Sequence, residues 1–162
     1  MLPYVIKTYQ NDLAYARKLV ADIPEDRMAE QPAPEVNHPA FILGHLVGTD
    51  AFTAQILGIK TPPMPENWAK LFGLGAKPQA DRRLYPTKAE LLARLEDGHR
   101  LVTEAVAKWP AGSLAEPFPM EQMREFVPTL GDGLVFLMTA HEATHLGQLS
   151  AWRRVLGFPS VM

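Results

Sequence analysis

The sequence predicts an all-α protein, a four-helix bundle, from three observations. Four long stretches carry apolar residues at helical spacing, proline-rich joints separate them, and no segment sustains the period-two alternation of a strand. The first stretch runs from about Leu2 to Ile23, with Val5, Tyr9, Leu13, Ala16 and Val20 on one stripe and Pro24 as its stop. The second runs from about His38 to Leu57, with Asn37 or His38 as cap, Pro39 in the first turn and Gly58 as terminator. The third opens on Thr87-Lys88-Ala89-Glu90, which has the form of a capping box, carries Leu91, Leu95, Val102, Val106 and Trp109, and stops at Pro110. The fourth opens at Thr129 with Asp132 three residues on. It carries Leu134, Leu137, Met138, Leu149 and Trp152 and ends at Gly157 and Pro159.

The joint from Ile59 to Pro86 contains Pro62, Pro63, Pro65, Pro78 and Pro86 and is far longer than the about 2–8 residues of a tight αα-hairpin. A long crossover there would leave helices two and three parallel. Within it, Trp68, Leu71, Phe72 and Leu74 predict a short amphipathic helix that covers a bundle edge or forms a lid over a pocket mouth. No repeat or second domain is visible, so residues 1–162 read as one domain.

Composition narrows the function. The 162 residues are 47% hydrophobic, enough for a core without disulfides, and cysteine is absent. That removes cysteine-ligated zinc, iron–sulfur clusters and a cysteine nucleophile, leaving five histidines and 18 carboxylates for metal or proton chemistry. A net charge of −2 gives no basic excess to attract nucleic acid. The N-terminus turns polar too early for a signal peptide, and no apolar run approaches the about 18 residues of a membrane span. These features predict a soluble, cytoplasmic protein.

His141-Glu142-Ala143-Thr144-His145 carries the strongest chemical signal. Residues four apart on a helix lie about 6 Å apart along its axis and about 40° around it, so both imidazoles can reach one ion. Both fall on the stripe of Leu134, Met138 and Trp152 and are expected to point into the bundle. His-Glu-x-x-His is also a zinc-protease motif, but the elongated form needs Gly and His where Gln148 and Ala151 stand. The gluzincin-like form needs a later carboxylate, and none follows Glu142. A third ligand must come from upstream. His45, on the Phe41, Phe52 and Ile56 stripe, is the strongest candidate. Three histidines with an open position are the arrangement of a catalytic metal.

The remaining polar residues have ordinary readings. His38 reads as a cap or surface group, and His99 as a partly buried structural residue at the edge of its stripe. Asp50 falls off the core face. Glu142, about 100° around from His141, reads as a residue that orients a ligand from behind or as a surface group, and Gln148 is a second candidate to orient a ligand. Met64, Met120, Met123 and Met138 read as packing.

Asn37-His38-Pro39-Ala40-Phe41-Ile42-Leu43-Gly44-His45-Leu46, followed nearly a hundred residues later by His141-Glu142-Ala143-Thr144-His145-Leu146-Gly147-Gln148, resembles the DinB-like (YfiT-like) superfamily along the whole chain. The resemblance implies an up-down-down-up bundle, often a homodimer, with a divalent metal on His45, His141 and His145. It also implies activities such as transfer to or from low-molecular-weight thiols and a mycothiol-dependent isomerisation, although many members have no assigned activity. Leu146 stands where many relatives carry a basic residue, which weakens the case for an anionic thiol site. Arg153 and Arg154 are read as solvated surface groups.

The sequence therefore predicts a metal-dependent enzyme holding Zn²⁺ or Ni²⁺, with imidazoles also suited to Fe and Cu. A thiol S-transferase acting on a small-molecule substrate with an exogenous thiol leads. The alternatives are a hydrolase using a metal-activated hydroxide and a non-enzymatic metal-binding bundle.

Overall fold

The structure, a computed structural model, describes residues 2–161. Its helices are α1 (Leu2–Ala21), α2 (Pro39–Ile56), α3 (Trp68–Phe72), α4 (Lys88–Ala107), α5 (Leu130–Val135) and α6 (Glu142–Val155), with short 3₁₀ turns in the joints. A π-helical turn, Phe136–His141, joins α5 to α6, so the fourth predicted helix is one rod with a π segment in its middle. No sheet forms among the described residues; a lone antiparallel bridge pairs Pro117 with Thr129.

Side-chain contacts set the helix directions. Lys88, at the start of α4, donates to the carbonyls of Val20 and Ile23 at the end of α1, and Arg17 pairs with Glu96, so these two helices are antiparallel. Val5, Leu57, Val106 and Leu130 share one end of the core, whereas Leu19, Phe41, Leu91 and Trp152 share the other. Helices α2 and α4 therefore run parallel, α1 and the last rod run opposite to them, and the order is up-down-down-up.

The expected caps form, with differences. His38 Nδ1 accepts the Phe41 N–H at 3.2 Å, with Pro39 beginning the helix. His38 is nevertheless completely buried rather than on the surface. The crossover folds over it, bringing the Gln79 carbonyl to 3.0 Å from Nε2 and setting Tyr85 edge-on against the ring. At α4 the Thr87 hydroxyl accepts from Glu90 N–H, but Glu90 turns to Arg94, and Glu25 accepts the Lys88 N–H instead. At α5 both halves of the Thr129–Asp132 box are made.

Within the crossover, α3 buries Trp68 and Phe72 against the bundle. The Phe72 ring occupies the space a Cβ on Gly44 would need, at 2.2 Å, so this approach requires glycine in α2. Arg153 corrects another expectation. It is almost fully buried, pairs with Asp22 through both terminal nitrogens and donates to the carbonyls of Leu19 and Pro159. The residue continues the Leu146–Leu149 stripe by one turn, and its guanidinium finds the unpaired carbonyl end of α1 there. Arg154 is exposed.

Phe118, completely buried, packs where a Cβ on Gly133 would stand, at 2.2 Å. Gly133→Ala is expected to displace that ring and cost about 1–3 kcal/mol, a fall of several degrees in Tm. Gly147→Ala, whose new methyl meets nothing within 4 Å, is expected to be neutral or slightly stabilising. Thermal unfolding of the two variants checks the pair.

Candidate metal centre

His45 stands in mid-α2, His141 closes the π-turn and His145 lies in the first turn of α6. The structure brings the three half-buried imidazoles together, with one nitrogen of each within 4.8 Å of the others. His45 Nε2 and His141 Nε2 are 3.3 Å apart. Two ring nitrogens that close require a shared proton or a shared cation. Bonds of about 2.0–2.1 Å at tetrahedral angles place neighbouring ligand nitrogens about 3.3–3.4 Å apart, so this edge fits one zinc-like ion.

The outer nitrogens are oriented. His45 Nδ1–H donates to the Phe72 carbonyl at 2.9 Å, which turns the Nε2 lone pair toward His141. His145 Nδ1 lies 3.2 Å from Gln148 Oε1, which also accepts from Asn37 Nδ2 at 2.9 Å. Of the two residues predicted to stand behind the ligands, Gln148 touches one of the trio. His141 Nδ1 is buried without a hydrogen-bond partner. Burial and then the neighbouring imidazoles lower His141 to about 4, and burial and His45 do the same to His145 against the opposing Gln148 bond. Both rings are therefore neutral at pH 7, the form that ligates.

The walls around the trio are aromatic. Phe136 meets His141 edge-on with ring centroids 5.7 Å apart, exposed Phe126 packs on Phe136, and the Phe41 ring lies parallel to His45. Leu146, which follows His145, is buried in the core. Among the described residues no Arg or Lys is bonded to the trio. Surface clefts of about 340 and 310 Å³ lie elsewhere, one between α1 and α6 beside Asp12 and Arg154, the other between α2, α4 and the crossover.

The histidine pair does not ride the centre of the core stripe as its spacing implied. Beyond the π-turn that line is Glu142, Leu146, Leu149 and Arg153, and the histidines flank it, facing α2. Glu142 is accordingly neither at the surface nor in contact with the trio. It is buried, with Oε1 2.9 Å from His99 Nε2 on α4. Asp50 is also buried rather than off the core face; it accepts the Tyr9 hydroxyl at 2.5 Å, and its Oδ2 is 3.9 Å from His99. His99 is fully inside, stacked on Tyr9 at 3.7 Å. The signal for this second cluster was present: His99 continues Leu91 and Leu95 at intervals of four, and Glu142 lies four from both Met138 and Leu146.

An all-helical bundle with one imidazole on α2 and two across the π-turn defines a three-histidine helical protein of candidate metal-binding type. A family model described as the DinB superfamily matches residues 9–149, and the chain belongs to that superfamily. No curated protein matches the chain. The crystal structure of a Streptococcus pneumoniae protein from a structural-genomics programme is similar in fold, with a TM-score of 0.63 and 16% identity over 96% of this chain and 91% of the other. No described helix is long and apolar enough to cross a membrane.

Burial pushes Asp50 up to about 7, with Glu142 adding to the rise and His99 and the Tyr9 bond opposing it. Asp12 is the other carboxylate near His99. The folded value exceeds the unfolded one of about 3.9, so the unfolded chain releases this proton first. Asp50 therefore lowers stability progressively as pH rises from about 4 to about 7. Asp50→Asn keeps an acceptor for Tyr9 and removes the titration. Wild type is expected to lose more than about 1 kcal/mol relative to this variant across that window. Urea unfolding at several pH values measures it, and a pH-independent difference contradicts it.

Proposed function

We propose that this DinB-superfamily chain is a metal-dependent enzyme whose divalent ion, Zn²⁺ or Ni²⁺, is held by His45, His141 and His145, and that it catalyses an S-transferase-type reaction on a small molecule with an exogenous low-molecular-weight thiol. The observation that carries this reading is the convergence of three imidazoles, with the Nε2 atoms of His45 and His141 3.3 Å apart and the outer nitrogens of His45 and His145 held by Phe72 and Gln148. Three protein ligands leave room in the coordination sphere for a reactant.

A bound divalent ion supplies positive charge that lowers the pKa of a coordinated thiol or water. The chain's own residues favour the thiol. The nearest glutamate in sequence, Glu142, is turned away toward His99, so this carboxylate does not stand ready as a general base for water. A thiol starts near pKa 8.5 and needs far less help to ionise than water. The chain has no cysteine, so that thiol must be soluble. Phe136 and Phe41 place aromatic rings beside His141 and His45, and Gln148, tied to Asn37, fixes the His145 ring.

Protein purified without an affinity tag is expected to carry or bind about one divalent ion per chain. His145→Ala should lose it, and Gln148→Ala should bind it 10–100-fold more weakly. Metal analysis and titration read both, and a stoichiometric ion retained by His145→Ala removes the site. A panel of low-molecular-weight thiols with a reactive electrophile then tests the chemistry. Turnover should require both thiol and metal, whereas turnover without thiol points to hydrolysis.

A further inference from the structure

Each of the four rods sends one polar side chain to the same buried place: Tyr9 from α1, Asp50 from α2, His99 from α4 and Glu142 from α6. Asp50, His99 and Glu142 are all at most 5% exposed. Asp50 is five residues beyond His45 on the same helix, and Glu142 directly follows His141. One imidazole thus lies 3.9 Å from a carboxylate on the helix of the first ligand and 2.9 Å from a carboxylate next to the second. The close approach of Asp50 depends on Gly98, where a Cβ would stand 2.6 Å from Oδ2.

Glu142 is also the first residue after the π-turn. A π-turn takes one more residue per turn than an α-helix and is rare without a local cause. Relaxing it to α-helix would shift the phase of the following residues by about one position, roughly 100°. That rotation would carry His145 away from α2 and move Glu142 off the core line. Leu146, Leu149, Trp152 and the Arg153–Asp22 pair hold the later part of the rod in its phase. At its start the polar atom beside Glu142 is His99 Nε2, 2.9 Å from Oε1, with neither atom in an aligned hydrogen bond.

We propose that His99 is the positioning residue of the three-histidine centre: stacked on Tyr9 beside Asp50, it anchors Glu142 and so holds the rotation at the π-turn that aims His141 and His145 at His45. The proposal rests on reading the trio as a metal site, and its test separates the two. An apolar residue at position 99 fills the volume but removes the polar atom that lies beside the buried Glu142 carboxyl, which drives that carboxyl toward solvent and turns the rod.

The experiment uses full-length protein with Co²⁺ as the probe and His99→Leu, His99→Gln and His99→Leu/Glu142→Leu as variants. His99→Leu is expected to weaken Co²⁺ binding 10–100-fold and alter its visible d–d spectrum, and His99→Gln, which keeps a polar group beside Glu142, to recover most of both. The double variant removes the unpaired carboxyl. It is expected to regain thermal stability while Co²⁺ affinity stays low. In metal-free protein, the nuclear Overhauser contact between the His45 and His141 rings should be present in wild type and lost in His99→Leu. Retention of that contact in His99→Leu, or Co²⁺ affinity that simply follows Tm across the series, overturns the proposal. If His99→Leu does not fold, the double variant decides: loss of the His45–His141 ring contact there supports the anchor, and its retention overturns it. A wild type that binds no Co²⁺ defeats the metal reading alone, because the ring contact still decides the positioning role.

Discussion

Four helices meet around a polar centre in a largely apolar interior, and the rest of the bundle is arranged about it. Burying an unpaired polar group costs several kcal/mol, more for a charged one, so Tyr9 bonds Asp50 and His99 is drawn against both carboxyls. His99 lies 2.9 Å from Glu142 and 3.9 Å from Asp50, though without an aligned bond to either. Apolar side chains tolerate sliding and rotation of helices, because one methyl contact is much like the next. The directed contact between Tyr9 and Asp50, and the close approach of His99 to both carboxylates, fix how α1, α2, α4 and α6 are turned. Burial raises Asp50 to about 7 and Glu142 to about 9, so this centre exists at neutral pH largely by keeping charge out of the core.

The histidine centre is built on the outer side of the same helices, where the demands differ. Its rings are half-buried rather than sealed in the core. Their orientation comes from elements that have little to do with the core: a carbonyl on α3 holds His45, and an Asn37–Gln148 pair from a loop and α6 holds His145. The crossover is therefore more than a cover for the bundle edge. Its Phe72 fits over Gly44 and presents its backbone oxygen to the first histidine.

Much of this was legible in the chain. The stripes of Val5, Tyr9 and Ala16, and of Leu91, Leu95 and Val102, are buried as their spacing required, and Thr87, Thr129 and His38 cap where capping chemistry put them. Spacing also singled out His141 and His145, because four residues on any helix bring two side chains to one side. The misreadings share a cause. His38, Asp50, Glu142 and Arg153 were assigned by polarity to surfaces or edges, yet all four are buried, each against a partner distant in sequence: the Gln79 carbonyl, Tyr9, His99 and Asp22. Polarity says that a group needs a partner. It does not say whether that partner is water.

By itself the sequence determined the helices, their ends, the crossover and the three imidazoles able to share an ion, because all of these follow from local periodicity, capping and ligand chemistry. Tertiary structure alone decided which way the last rod is turned. Its π-turn, visible in no residue pattern, sends Glu142 rather than the histidines along the core line and leaves His141 and His145 on the flank facing α2. The physical reason is that helical phase across such a turn is set by what each side chain meets on other helices, and those contacts join residues from about 40 to more than 90 positions apart.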